Sequence, residues 1–152
     1  MAEMMRTIVM QNNDRYLYRA KQTDNGEWVV GFYYWTNWRN PKTGDIVEVT
    51  HSILPVNCQD SYHVDPSTIC QCTGLKDKNG KLIWENDICK RILLPTKRIE
   101  TNFRIAYVPY KCCLSAIDLD GSNITFLSDY INNQYEVEVI GNIFDNSELL
   151  EK

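Results

Sequence analysis

The chain has no long hydrophobic run. None of its 152 residues lies in a stretch approaching the roughly 18–20 consecutive apolar residues that a membrane-spanning helix requires. The opening segment, MAEMMRTIVMQNNDR, also lacks the apolar core of a secretory signal. We therefore expect a cytoplasmic protein that has no membrane partner.

Positive charge is scarce as well. The chain has 16 Lys and Arg against 20 Asp and Glu, which gives a net charge of -4. Such a balance creates no general attraction for phosphate backbones, so we expect any binding to nucleic acid to be weak and salt-sensitive. It would be confined to a basic set in the second half of the chain: Lys76, Lys78, Lys81, Lys90, Arg91, Lys97, Arg98 and Arg104.

The cysteines lack the spacing of a metal or redox motif. The six are Cys58, Cys70, Cys72, Cys89, Cys112 and Cys113. No two of them form a CxxC pair, the spacing typical of zinc knuckles and thioredoxin-like sites. We interpret them as reduced structural thiols. The alternatives are a mixed Cys/His metal site that includes His63, and redox chemistry.

Catalytic constellations are missing too. His51 and His63 are the only histidines, and Ser52 follows His51 directly. Neighbouring residues of a strand point to opposite faces, so this adjacency cannot build a hydrolase site. The sequence predicts no catalytic residues, no cofactor and no metal site.

What the sequence does contain is a regular alternation of turn signals and short β-rich runs, which predicts an antiparallel all-β protein. We expect a hairpin formed by strands 27–35 and 45–53 around the turn at 41–44. Later strands are predicted at 68–73, 87–94, 101–108, 111–117, 124–126 and 136–143, with helical turns at 128–133 and near Asn146. An Asn79-Gly80 turn of type I′ is expected before the strand at 87–94. The loop at 50–65 suggests two domains, 1–65 and 66–152.

An aromatic run, Trp28-Val-Val-Gly-Phe-Tyr-Tyr-Trp35, makes both faces of the first hairpin strand apolar or amphipathic. One face can line the core. The other face packs on the rest of the chain, contacts another subunit or binds a ligand. We predict self-association into a homo-oligomer through Val29, Tyr33 and Trp35, with Trp38 at the rim.

Two longer stretches resemble the YopX-like family of phage and prophage proteins. They are QCTGLKDKNGKLIWENDI, residues 71–88, and EVEVIGNIFDNSELL, residues 136–150. The resemblance implies an all-β fold whose C-terminal half is a small SH3-type barrel, and it implies no catalytic residues. For such a protein we expect the cytoplasm of a host cell as the location and a phage or host protein as a candidate partner.

Three classes of function follow from these observations. We favour a non-catalytic protein-interaction or assembly module. The alternative is a small β-barrel that binds nucleic acid. An enzyme is the third class, and the missing constellations weigh against it.

Overall fold

The computed structural model describes residues 14–131 and 134–151, and the all-β prediction is confirmed. The strands of this part of the chain are β1 (Tyr18–Lys21), β2 (Trp28–Arg39), β3 (Ile46–Leu54), β4 (Tyr62–His63), β5 (Cys70–Lys76), β6 (Leu82–Trp84), β7 (Asp87–Leu93), β8 (Arg98–Val108), β9 (Cys113–Asp118), β10 (Ile124–Phe126) and β11 (Tyr135–Asn142). One short helix, α1 (Leu127–Tyr130), follows β10. Single 3-10 turns lie at Asp14–Tyr16, Pro66–Thr68, Pro109–Lys111 and Ser147–Leu150.

The chain divides into two compact units between Gln71 and Cys72, within β5, whereas the loop pattern of the sequence suggested a boundary near Asp65. In the first unit the strand order is β4-β3-β2-β1-β5, and the pairing is antiparallel. Its core consists of Ala20, Val29, Ile53 and Val64, with half-buried Tyr18, Tyr33 and Ile69 packed around them. These residues come from β1, β2, β3 and the segment from β4 to β5. The core of the first unit therefore lies against one face of its sheet.

The predicted hairpin is present, and its first strand is longer than expected. β2 pairs with β3 from Phe32 opposite Leu54 to Trp38 opposite Glu48, beyond which a bulge shifts the register. The turn closes where the Asn40 amide donates to the Asp45 carbonyl at 2.8 Å. Gly44 has φ of +78°, a conformation that glycine adopts without strain.

The second unit contains a five-stranded antiparallel sheet of order β10-β9-β8-β7-β11. Its core comprises Ile83, Cys89, Phe103, Ile105, Ala116, Leu127, Tyr130 and Val137. Phe103 and Tyr130 meet edge to face, with ring centroids 4.6 Å apart. Among the described strands this sheet is open, because its edge strands β10 and β11 do not pair with each other. The SH3-type barrel therefore stays a prediction.

The turn between β5 and β6 differs in type from the predicted one. A type I′ turn needs positive φ at both central residues, whereas here Gly80 has φ of +81° and Asn79 is not among the residues with positive φ. The Gly80 amide donates to the Asp77 carbonyl at 2.9 Å, which makes Lys78 and Asn79 the central pair, with glycine after them. The prediction of type I′ was wrong because the Asp77 carboxylate accepts from the Asn79 amide and stabilises this other turn.

Candidate functional site

The structure places the four residues predicted for self-association in two different environments. Val29 is 8% exposed and belongs to the core of the first unit. Tyr33 is half-buried against that core, and a hydrogen bond of 2.6 Å joins its hydroxyl to His51 Nδ1. Burial, with Tyr18 beside it, raises the pKa of Tyr33. Trp35 and Trp38 are exposed by 57% and 62%.

The opposite face of β2 is the open one. Val30, Phe32, Tyr34 and Trp38 alternate along this face and are exposed by 40%, 45%, 39% and 62%. We call these four residues the β2 stripe. Their alternation places their side chains on one side of the sheet, and the register to β3 is regular as far as Trp38. The stripe is a mostly apolar row that Thr36 interrupts between Tyr34 and Trp38.

Cross-strand neighbours decide which face of β2 is buried. On the core side, Val29 lies opposite Ala20 and Tyr33 opposite Ile53. Both of these partners are fully buried apolar residues. On the stripe side Phe32 lies opposite half-buried Leu54, and the other cross-strand partners are polar or charged: Arg19, Ser52, Thr50 and Glu48. Alternation alone identified two faces, and the choice between them depends on the pairing register, which the sequence did not reveal.

The two ends of the stripe differ in charge. At one end Arg19 pairs with Val30, and both Arg19 and Lys21 lie over the Trp28 ring, at 4.7 Å and 5.6 Å from its centroid. At the other end Glu48 lies opposite Trp38. In the middle the Tyr34 hydroxyl donates to Ser61 Oγ at 2.7 Å. The stripe is therefore uncharged along its length, basic at one end and acidic at the other.

The outer part of the hairpin is open on both faces. We call residues 34–39 and 46–50 the distal hairpin. Trp35 lies on the face opposite to the stripe, and Ile46, Val47 and Val49 of β3 are about half or more exposed. β4 pairs only with Ser52 and Ile53, so among the described strands β2 alone pairs with Ile46–Thr50. Apolar side chains on both faces of a two-stranded ribbon are typical of an interaction surface.

Neither histidine belongs to an accessible catalytic pair with a serine. Ser52 Oγ lies 3.2 Å from His63 Nδ1, a distance suited to a hydroxyl and a general base. However, Ser52 is only 3% exposed. A nucleophile must reach its substrate, so this pair fits a structural hydrogen bond. His63 also lines a cavity of about 180 Å³, together with Gln22, Thr23, Asp24, Ser61 and Tyr62.

Carboxylates compensate half of the basic set in the second unit. Glu138 Oε2 lies 2.7 Å from Lys78 Nζ and 3.1 Å from Lys90 Nζ. The hydrogen bond to Lys78, followed by that to Lys90, lowers the pKa of Glu138, and the same contact raises the pKa of Lys78. Two further ion pairs join Arg91 to Glu100 and Lys97 to Glu136. This arrangement leaves less uncompensated positive charge for a phosphate backbone.

The two stretches that resemble the YopX-like family meet in the second unit. Asp77 Oδ1 accepts from the amides of Asn79 and Lys81, and its Oδ2 accepts from the Val139 amide of β11 at 3.2 Å. The Lys78 amide donates to the Val137 carbonyl at 2.8 Å. Burial alone would raise the pKa of Asp77, but these amides and the Lys81 charge hold it below its usual value. Hydrogen bonds thus join the two motifs to each other within the second unit.

The remaining candidates give no site in the described part of the chain. Residues 14–131 and 134–151 hold no cluster of three or more metal-ligating side chains. Of the six cysteines, Cys70, Cys72 and Cys89 are buried, Cys113 is half-buried, and Cys58 and Cys112 are exposed. None of the described helices combines the length and apolar character needed to cross a membrane.

The family comparison covers both units. No curated protein matches the chain. The family model described as YopX protein matches residues 17–151, which run from the start of β1 to the end of the described chain and include the β2 stripe and both motifs. The chain therefore belongs to the YopX family.

Proposed function

We propose that this YopX-family protein is a non-catalytic phage or prophage module that assembles with other proteins through the distal hairpin and the β2 stripe. One observation carries the proposal: a single β-hairpin exposes four aromatic side chains, Phe32, Tyr34 and Trp38 on one face and Trp35 on the other. Aromatic residues are enriched in protein interfaces, where they bury a large area and keep a polar atom for the rim.

Charge favours a protein partner over nucleic acid. The chain carries a net charge of -4, and carboxylates compensate four members of the basic set in the second unit. The aromatic surface itself is flanked by one basic and one acidic end. A nucleic-acid groove needs aromatic side chains inside a continuous positive field, whereas this surface lies outside one.

The experiment compares the distal hairpin with a matched aromatic surface. Wild-type protein, a Trp35→Ser/Trp38→Ser variant and a Tyr110→Ser/Phe126→Ser control are immobilised and exposed to a lysate of induced host cells. Tyr110 and Phe126 are exposed by 74% and 51% in the second unit, so the control removes a similar aromatic area. We expect proteins to be retained by the wild type and the control and to be lost by the hairpin variant.

Nuclease treatment separates the two classes of partner. We expect retention to be unchanged when the lysate is treated with nuclease before capture. Retention that disappears after this treatment would contradict the proposal and indicate a nucleic-acid partner. Equal retention by the hairpin variant and the wild type would place the interaction on another surface.

A further inference from the structure

We infer that the β2 stripe packs against the same stripe of a second copy of this chain, forming a two-fold dimer in which the two β2 strands run antiparallel. This inference rests on the proposed function and names one of its partners. It is carried by three properties of the stripe: its shape, its charge pattern and its area.

The first property is the alternation of large and small side chains. Trp38 lies eight positions after Val30, so the stripe is about 26 Å long at roughly 3.3 Å per residue. A two-fold axis at Tyr34 places Trp38 against Val30 of the second copy, and Phe32 against Thr36. On either side of the axis a large side chain then faces a smaller one, the pattern that lets two sheets interdigitate about 10 Å apart, and Tyr34 meets Tyr34 of the second copy on the axis itself.

The second property is charge complementarity. Glu48 lies beside Trp38 at one end of the stripe, and at the other end lie half-buried Lys21 and Arg19, which is 9% exposed. Antiparallel packing brings the acidic end of one copy to the basic end of the other. Parallel packing would bring like charges together at both ends, which disfavours it. The uncharged middle of the stripe meets itself without repulsion.

The third property is area, which predicts a weak dimer. Phe, Tyr and Trp side chains each present about 150–250 Å² when fully accessible. With the exposed fractions of Phe32, Tyr34, Trp38 and Val30, the stripe offers roughly 350 Å² per copy on that scale. A stable interface of standard size buries about 800 Å² per partner. The stripe supplies a little under half, so we expect a dissociation constant on the order of 10 µM or weaker.

Sedimentation equilibrium of the full chain tests the inference over a range from low micromolar to several hundred micromolar protein. The mass should rise from 17.8 kDa toward twice that value. Phe32→Glu should hold the protein at the monomer mass throughout, because it buries a charge in the stripe. Trp35→Glu is the matched control, since Trp35 lies on the other face of the same strand. Circular dichroism establishes that each variant is folded, and Phe32→Ser replaces Phe32→Glu if the latter unfolds.

A charge exchange tests the antiparallel arrangement. Glu48→Lys should raise the dissociation constant roughly two- to fivefold, as expected for a pair of rim charges. Adding Lys21→Glu to Glu48→Lys should restore part of the affinity, because a carboxylate at position 21 then faces the ammonium at position 48 while Arg19 keeps its charge. In a parallel dimer Glu48 would face Glu48 of the second copy, so Glu48→Lys would exchange one like-charge contact for another and leave the dissociation constant nearly unchanged.

The outcomes separate this inference from the proposed function. A wild-type chain that stays monomeric at the highest concentration overturns the inference. So does a dimer that Trp35→Glu abolishes and Phe32→Glu leaves intact. If the monomer still captures other proteins through the distal hairpin, the proposed function stands and only the second copy is excluded.

Discussion

At Gly31 of β2 the backbone of Leu54 and Pro55 approaches so closely that there is no room for a side chain. A methyl group at this position would overlap the Leu54 carbonyl and the Cα of Pro55, neither of which is a flexible side-chain end. We expect Gly31→Ala to lower the free energy of unfolding by about 1–3 kcal/mol, the usual cost of overpacking. Urea denaturation measures the change, with Val30→Thr on the exposed face as control. Equal stability of Gly31→Ala and wild type would mean that the end of β3 moves away at little cost.

At the same scale, Asp77 links the first family motif to β11 through its carboxylate. Because its pKa is below the usual value in the folded protein, its contribution is fully present above the unfolded pKa of about 4 and is lost as pH falls through the lower folded pKa. Asp77→Asn replaces one acceptor oxygen by a donor. We expect it to cost about 1–3 kcal/mol at pH 7.

The same variant should differ less from wild type in strong acid. Below the folded pKa both side chains are uncharged, so the gap between their unfolding free energies narrows. Urea titrations at neutral and at acid pH measure this gap, and Asp60→Asn at an exposed position serves as control. A gap independent of pH would show that the ionised form of Asp77 contributes nothing to stability.

Among the elements, the hairpin was predictable because its strands and its turn are contiguous in the sequence. The turn at 41–44 and the β-rich runs beside it indicated the β2–β3 pair directly. The outer end of β2, Thr36–Arg39, was missed because its residues are mostly polar and it is held by pairing with β3. β4 and β6 were missed as well. They have two and three residues, too few to show a periodic pattern.

The site was predicted only in part, for a related reason. Alternation along β2 correctly separated Val29 and Tyr33 from Val30 and Phe32. Which of these sets is exposed depends on Ala20 and Ile53, which β1 and β3 bring opposite the odd-numbered residues. This choice is made by pairing between separate segments, and a single sequence carries no direct signal of it.

The distal hairpin should also differ from the inner hairpin in local stability. Its amides are held by one partner strand and its side chains add little to the core, so it should open at lower free energy. In hydrogen exchange of dilute protein, amides at 36–38 should exchange faster than those at 29–33, with β7 as a slowly exchanging reference. Protection at 36–38 should increase with protein concentration. Equal and concentration-independent protection of both segments would contradict this expectation.

For the whole molecule, the balance of charge determines its behaviour toward nucleic acid. With a net charge of -4 and much of the basic set paired, we expect binding to a single-stranded oligonucleotide to be weak and to vanish above about 0.2 M salt. Fluorescence anisotropy across a salt series measures this. A Lys76→Glu/Lys81→Glu variant should abolish the residual binding. Tight binding that persists at high salt would indicate a base-stacking surface in place of the protein-binding role.

The fluorescence of the tryptophans can report changes in the exposure of the hairpin. Trp35 and Trp38 are in contact with water, whereas Trp84, in the second unit, is only 5% exposed. Indole emission shifts to shorter wavelength when the ring leaves water, and acrylamide quenches exposed rings preferentially. Covering the hairpin should therefore shift the emission to the blue and reduce quenching, whereas unfolding should shift the Trp84 contribution to the red. The emission wavelength of the unlabelled protein should thus shift in opposite directions on association and on unfolding.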